Sequence, residues 1–331
     1  MEQLIHEYRG EILENIHFGR ICVVDENRNV IRSVGDVQML TYFRSASKPI
    51  QALPVIDRNL HKKYGFSDNE VAIMCGSHLG EKVHLETILS MLEKTGLKEE
   101  EFIMLPNYPS NSALKQEMLK NNLPPRKALH NCSGKHVATM VLAKELTGTI
   151  DGYWKTDHPA QQEILKYVAD FSEYPQADVK IGIDGCGVPV FAVPLKNISI
   201  AFMKMACPDK VEDETTRQSL IYIQKAINEN SVMLRGQDQV CDVFNRDTNI
   251  IAKGGALGVY GFGMKEERIG ASFKMENGPG HFWQVMVAEM LKQLNYKNSE
   301  TIKAINEKCV KLSVFNDNKD EIGKIQTVFK L

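Results

Sequence analysis

Ser45-Ala46-Ser47-Lys48-Pro49-Ile50-Gln51-Ala52-Leu53-Pro54-Val55-Ile56-Asp57-Arg58-Asn59-Leu60 sets apolar residues at helical spacing behind a serine and a lysine three positions apart. Pro49 is tolerated only in a first helical turn, so the spacing predicts a helix beginning near Ala46 or Ser47. Pro54 implies a kink or an early end. Residues three apart share a helix face, and an S-x-x-K element there can bring a lysine amine to a serine hydroxyl. Taken alone the element occurs often by chance, and a capped surface helix is the better explanation of it.

Working outward from this stretch, Phe18–Val24 and Asn29–Ser33 are β-branched runs around Asp25-Glu26-Asn27-Arg28 and predict an N-terminal hairpin. Ser67-Asp68-Asn69-Glu70 has the spacing of a capping box and opens a short helix ending near Cys75. A longer helix is expected from about Glu81 to Lys94, with Gly96 as its stop. Leu129–Gly134 reads as a loop feeding a helix that runs to about Leu146, and another helix follows His158-Pro159 to about Phe171. Val179–Asp184 is a short strand broken at Gly185 and Gly187. Further helices are predicted near 196–206, 211–229, 280–294 and 300–309, and strands near 249–253, 257–263, 268–275 and 324–330. Strands at both ends with helices between them indicate α+β, not a doubly wound parallel sheet.

The 331 residues are 43% hydrophobic and 25% charged with a formal charge of −2, which gives no electrostatic reason to expect nucleic acid or an anionic membrane as partner. No apolar stretch approaches the ~18 residues of a membrane span, and the opening MEQLIHEYRGEILENIHFGR is too polar for a signal peptide, so a cytoplasmic location is expected. Seven cysteines, odd in number and without a CxxC pair, argue against a disulfide framework or a zinc ribbon. No repeat, low-complexity tract or linker divides the chain.

Four segments occur in one order: Arg44-Ser45-Ala46-Ser47-Lys48-Pro49, Cys75-Gly76-Ser77-His78-Leu79-Gly80-Glu81, His130-Asn131-Cys132-Ser133-Gly134-Lys135-His136 and Asp184-Gly185-Cys186-Gly187-Val188-Pro189. In this the sequence resembles the cysteine-containing L-asparaginase II family, the type named for rhizobial enzymes, from about residue 10 to 280. The resemblance implies a serine β-lactamase/penicillin-binding-protein-like α+β fold, an antiparallel sheet flanked by helices. It also implies a single catalytic unit over 1–331, with a mostly helical subdomain at about 50–175 inserted in the sheet part. By motif match Ser45 is the nucleophile or one of two serines that serve it, Lys48 its base and Ser77 the second active serine. A second lysine from a later strand pairs with that serine. Lys253, in Lys253-Gly254-Gly255-Ala256-Leu257-Gly258, is the first candidate, although Leu257 stands where the family usually has glutamate; Lys274 is the fallback. The same family places Cys132, Lys135 and Cys186 around a zinc ion near the substrate, requires no organic cofactor, and suggests a homodimer.

The chemistry agrees with these assignments. A lysine must be neutral to accept a proton, and burial beside another cation favours the free amine. A small zwitterion such as L-asparagine needs an acceptor for its ammonium, for which Asp184 is the first choice, and donors for its carboxylate, for which Arg44 offers a forked group, although an arginine beside a helix start serves equally often as a structural tether. His136 is a candidate pocket residue, and the backbone amides near Ser45 or Ser77 are candidate oxyanion donors. Ser67-Asp68-Asn69 spells a β-lactamase motif, but lies so soon after Ser45 that the helix cap explains it better. The expected activity is conversion of L-asparagine to L-aspartate and ammonia through an acyl-enzyme. Its rivals are a serine glutaminase or β-lactamase-like amidohydrolase and a catalytically inactive amino-acid- or zinc-binding relative.

Overall fold

The structure is a computed structural model and describes residues 1–278 and 282–331. The chain forms two compact units: Met1–Ala46, Val193–Ala206 and Asp238–Leu331 make one, Ser47–Ala192 and Cys207–Gln237 the other.

The first unit is built on an antiparallel sheet. Its strands run, edge to edge, Ser313–Phe315, Glu321–Thr327, Glu2–Arg9, Ile12–Asp25, Ile269–Met275, Val259–Met264 and Ile250–Gly255, with Val30–Val34 also paired to Ile12–Asp25. The predicted hairpin is the pairing of Ile12–Asp25 with Val30–Val34, closed by a turn in which the Asp25 side chain accepts from the amides of Asn27 and Asn29. Ile21, Cys22, Val23 and Val24 are all fully buried, so this strand is covered on both faces. Helix Leu195–Ala206 covers one of them. It approaches so closely that a Cβ on Gly270 would lie 2.0 Å from the Ser199 carbonyl oxygen, which reserves that position for glycine. Ser199 stitches the helix to the sheet, its hydroxyl donating to the Cys22 carbonyl at 3.0 Å and lying 2.7 Å from the Ser272 hydroxyl.

The second unit is mostly helical, with helices Lys48–Asp57, Asp68–Met74, Lys82–Thr95, Ser112–Lys120, Ser133–Thr147, Pro159–Ser172 and Glu214–Glu229. Ser133–Thr147 is buried on every side from Ser133 through Ala143, as a helix without a polar face must be. Helices Lys48–Asp57, Asp68–Met74 and Pro159–Ser172 pack around it. A small hairpin pairs Lys180–Ile183 with residues 189–192.

Several expectations change in detail. A turn of 3-10 helix spans Arg44–Ser47, and the α-helix proper starts at Lys48 with Pro49 in its first turn. It runs through Pro54 to Asp57, so Pro54 neither ends it early nor stops its last turn. The helix expected near 280–294 is Trp283–Gln293; positions 280 and 281 lie outside the described residues. The last strand is Glu321–Thr327 rather than 324–330. Ser67 and Glu70 form the capping box their spacing predicts. No disulfide is present among the described residues, and all seven cysteines are buried. Among the described residues no helix is long and apolar enough to cross a membrane.

Candidate active site

In the helical unit, the wholly buried Lys48 side chain reaches into the Cys75–Glu81 segment. Its amine donates to the Gly76 carbonyl and lies 3.0 Å from Ser77 Oγ and 3.4 Å from the Asn131 carbonyl oxygen. Carbonyl oxygens can only accept. An uncharged amine therefore gives its two protons to Gly76 and Asn131 and turns its lone pair toward Ser77, the one partner of the three with a proton to give. Burial, the largest influence, pushes the Lys48 pKa down; Cys132 and Cys186 oppose this and the Lys135 charge reinforces it.

Ser77 is nearly buried and held by its backbone, its amide donating to the Leu234 carbonyl at 2.8 Å while Leu79 does the same to Arg235 at 2.7 Å. The Ser77 N–H is thus already committed to a backbone carbonyl. The neighbouring His78 has its Nε2 2.8 Å from Ser133 Oγ and its ring stacked on His84 at 5.1 Å. Burial drives His78 well below the usual histidine range, and His84 down as well, so both rings are neutral near neutral pH.

Cys132 caps the N-terminus of the buried helix, where the helix dipole favours a thiolate. A hydrogen bond from Cys186 is the main reason its pKa falls well below the ordinary thiol value, with Lys48 and Lys135 adding to the effect against burial. Cys186, the donor of that bond, is pushed upward. Burial disfavours the Lys135 ammonium, yet Cys186, Cys132 and Asp184 outweigh it and raise its pKa. Asp184 closes the turn of the small hairpin, its Oδ1 accepting from Gly185 N at 2.8 Å. His136 is fully buried, with Nδ1 2.9 Å from the Tyr153 hydroxyl, Phe102 and Tyr153 meeting its ring edge to face, and burial driving its pKa well down.

Cys132 and Cys186 offer the sulfur donors zinc accepts, whereas Lys135 could coordinate the ion only after giving up the proton that its neighbours favour. Among the described residues no group of three or more His, Cys, Asp and Glu side chains is gathered as for a metal.

In the sheet unit, Ser45 is half-buried in the Arg44–Ser47 turn. Arg44 before it holds φ at 50°, a left-handed conformation that costs a non-glycine residue energy and that concentrates at functional sites. Lys253 is buried on its strand and donates to the Gly254 carbonyl at 2.7 Å. The segments carrying Ser45 and Lys253 meet: a Cβ on Gly255 would lie 2.5 Å from the Phe43 carbonyl oxygen and 3.0 Å from Arg44 Cβ. Leu257, where the family usually has glutamate, is exposed in the turn beyond with φ at 61°. Lys274 donates to the Met275 carbonyl and lines, with Arg44, a small cavity of this unit.

Sequence reasoning did not find the Gly76 and Asn131 carbonyls that aim Lys48, nor the Ser133 hydroxyl on His78.

The family described as L-asparaginase II matches residues 5–327. With a buried lysine against a serine, this defines the chain as an amidohydrolase. It belongs to the L-asparaginase II family. Similar solved structures include a β-lactamase from Mycobacterium bovis, at 12% identity over 83% of this chain and 94% of that one with a TM-score of 0.40. A Bacillus glutaminase is similar at 12% identity over 84% and 91%, with a TM-score of 0.39. Both likenesses are too distant to carry an activity across. No curated protein matches the sequence.

Proposed function

We propose that this chain hydrolyses the side-chain amide of L-asparagine to L-aspartate and ammonia through an acyl-enzyme. The observation that carries the reading is the Lys48 amine, buried, fixed by two carbonyls and pointed at the Ser77 hydroxyl. Lys48 takes the Ser77 proton as Oγ attacks the carboxamide carbon, then returns it to the departing ammonia. Water hydrolyses the aspartyl ester. The resemblance gave Ser45 the attack with Lys48 as its base; the contact between Lys48 and Ser77 favours Ser77 as the activated hydroxyl. Ser45 and Lys253, both in the sheet unit, are then the second serine–lysine couple. Asp184 is the proposed acceptor for the substrate ammonium and Arg44 a donor to its carboxylate.

Zinc, if bound, is held by Cys132, Cys186 and Lys135 and supplies a Lewis-acidic contact that orients the substrate, the serines remaining the source of the nucleophile. Removing it, verified by elemental analysis, should weaken asparagine binding; unchanged affinity would remove that role.

The deciding assay is ammonia release from L-asparagine, with little from glutamine and no nitrocefin hydrolysis. Mass spectrometry of a trapped acyl-enzyme should place the added mass on Ser77. A label on Ser45 would reverse the two serines, and a label on neither would end the acyl-enzyme scheme. Protein that binds asparagine in calorimetry but releases no ammonia over hours would establish the inactive-relative reading.

A further inference from the structure

The hydroxyl that faces Lys48 sits on a segment held by another stretch of the same helical unit. A turn of 3-10 helix at Ser231–Leu234 sets consecutive carbonyls against it. Ser77 donates its amide to the Leu234 carbonyl at 2.8 Å, and Leu79 donates to the Arg235 carbonyl at 2.7 Å. A Cβ on Gly76 would lie 2.3 Å from the Met233 carbonyl oxygen, so the residue whose own carbonyl takes a Lys48 proton touches the same turn. The carbonyl before these, that of Val232, lies 3.0 Å from His84 Nε2. His84 is wholly buried with both ring nitrogens engaged, its Nδ1 lying 3.0 Å from the Glu81 amide. A backbone amide only donates and a carbonyl only accepts. A neutral ring therefore serves both in one arrangement, with the lone pair on Nδ1 and the proton on Nε2. Burial keeps the ring neutral by lowering its pKa. The bond to Glu81 lies at the start of the ring's own helix, Lys82–Thr95, and is a cap. The bond to Val232 spans 148 residues and joins that helix to the turn that holds Ser77. Glu81 Oε1 accepts from the Gln237 amide at 3.2 Å, so the turn is pinned at both ends from one helix start.

We infer that His84 is a positioning residue for Ser77: its bond to the Val232 carbonyl fixes the turn against which Gly76, Ser77 and Leu79 rest, and so sets the Ser77 hydroxyl against the Lys48 amine. That this placement matters to a rate rests on the reaction proposed above. A misplaced nucleophile loses rate far faster than it loses substrate affinity, because the alignment is demanded by the transition state and not by the bound ground state. The His84 ring also lies nearly parallel to the ring of His78, at 5.1 Å, and this stack is a packing contact separable from the bond to Val232.

The test divides the two bonds. An asparagine side chain carries its oxygen where the ring has Nδ1 and can take the Glu81 amide without reaching Val232. A glutamine carries its NH2 where the ring has Nε2 and can donate to Val232 without serving the cap. Both lose the stack on His78. His84→Asn should lower kcat for ammonia release from L-asparagine at least about tenfold with KM changed less than about threefold, and His84→Gln should stay within about threefold of wild type in both. His84→Asn keeps the cap and should melt no lower than His84→Gln, so activity and Tm run in opposite orders, which a merely structural role does not produce. Equal kcat in the two variants, or kcat falling in the order of Tm, would overturn the inference. If His84→Asn does not fold, His84→Leu, which makes neither bond, decides by the same split of kcat from KM against His84→Gln. If wild type releases no ammonia, the proposed reaction fails, and hydrogen exchange at the Ser77 and Leu79 amides still judges the clamp. Those amides should exchange at least about tenfold faster in His84→Asn than in His84→Gln, and equal exchange removes the role.

Discussion

Lys48 and Lys135 lie in the same helical unit, are both essentially removed from water, and are driven in opposite directions. Burial disfavours either ammonium. At Lys48 burial prevails, because its nearest oxygens are the neutral Gly76, Ser77 and Asn131 groups. At Lys135 the charges of Cys186, Cys132 and Asp184 overcome it. Desolvation alone therefore does not set the direction: it prevails over the neighbouring thiols at one amine and is overcome by the charges around the other.

The strongest way to break this contrast is to remove the amine that should act as base. Lys48→Met should lower kcat for ammonia release by about 10³- to 10⁴-fold while the protein stays folded, since methionine nearly fills the volume and strands no charge. Steady-state kinetics with a thermal melt checks it; a loss below about tenfold would leave Lys48 a structural residue. Ser77→Ala should fall in the same range and add little to Lys48→Met, because two residues acting on one proton are not additive.

Lys135 should behave differently. Lys135→Met strips the cation from beside Cys132, whose pKa should rise, so the ultraviolet absorbance of the thiolate should fade at neutral pH. Stability should drop by roughly 3 kcal/mol in chemical denaturation, because a buried anion has lost its partner. Retained thiolate absorbance would mean that Cys186 and the helix N-terminus suffice to hold the charge.

How much of this could be read beforehand depends on how far apart in sequence the interacting groups lie. The capping box at Ser67 and Glu70 spans three residues and was legible because both halves sit in one short phrase. The hairpin at Asp25–Arg28 was legible for the same reason. Lys48 meets Ser77 across 29 residues and Asn131 across 83, and no local pattern carries such a pairing. Only the ordered recurrence of four segments pointed there. The strands Glu2–Arg9 and Pro189–Pro194 and the helix Ser112–Lys120 escaped because short or weakly alternating segments take their state from what they pack against.

The rule drawn from the two lysines applies also to a buried carboxylate of the same unit, with a smaller effect. Burial raises the Glu70 pKa, but Lys94 at 2.6 Å and the Ser67 amide at 2.7 Å outweigh it, and the net direction is down from 4.5. A carboxylate depressed on folding adds stability that is fully present above its unfolded pKa and is lost as pH falls through its folded one. Glu70→Gln keeps an oxygen for the Ser67 amide but gives up the charge facing Lys94, so at neutral pH it should cost about 1 kcal/mol. The difference from wild type should shrink as the solution is taken below the ordinary carboxylate range, because both side chains are then neutral. Denaturation at neutral and acid pH measures this. An equal cost at both would mean that Lys94 contributes nothing and that the geometry of the cap alone sets the value of Glu70.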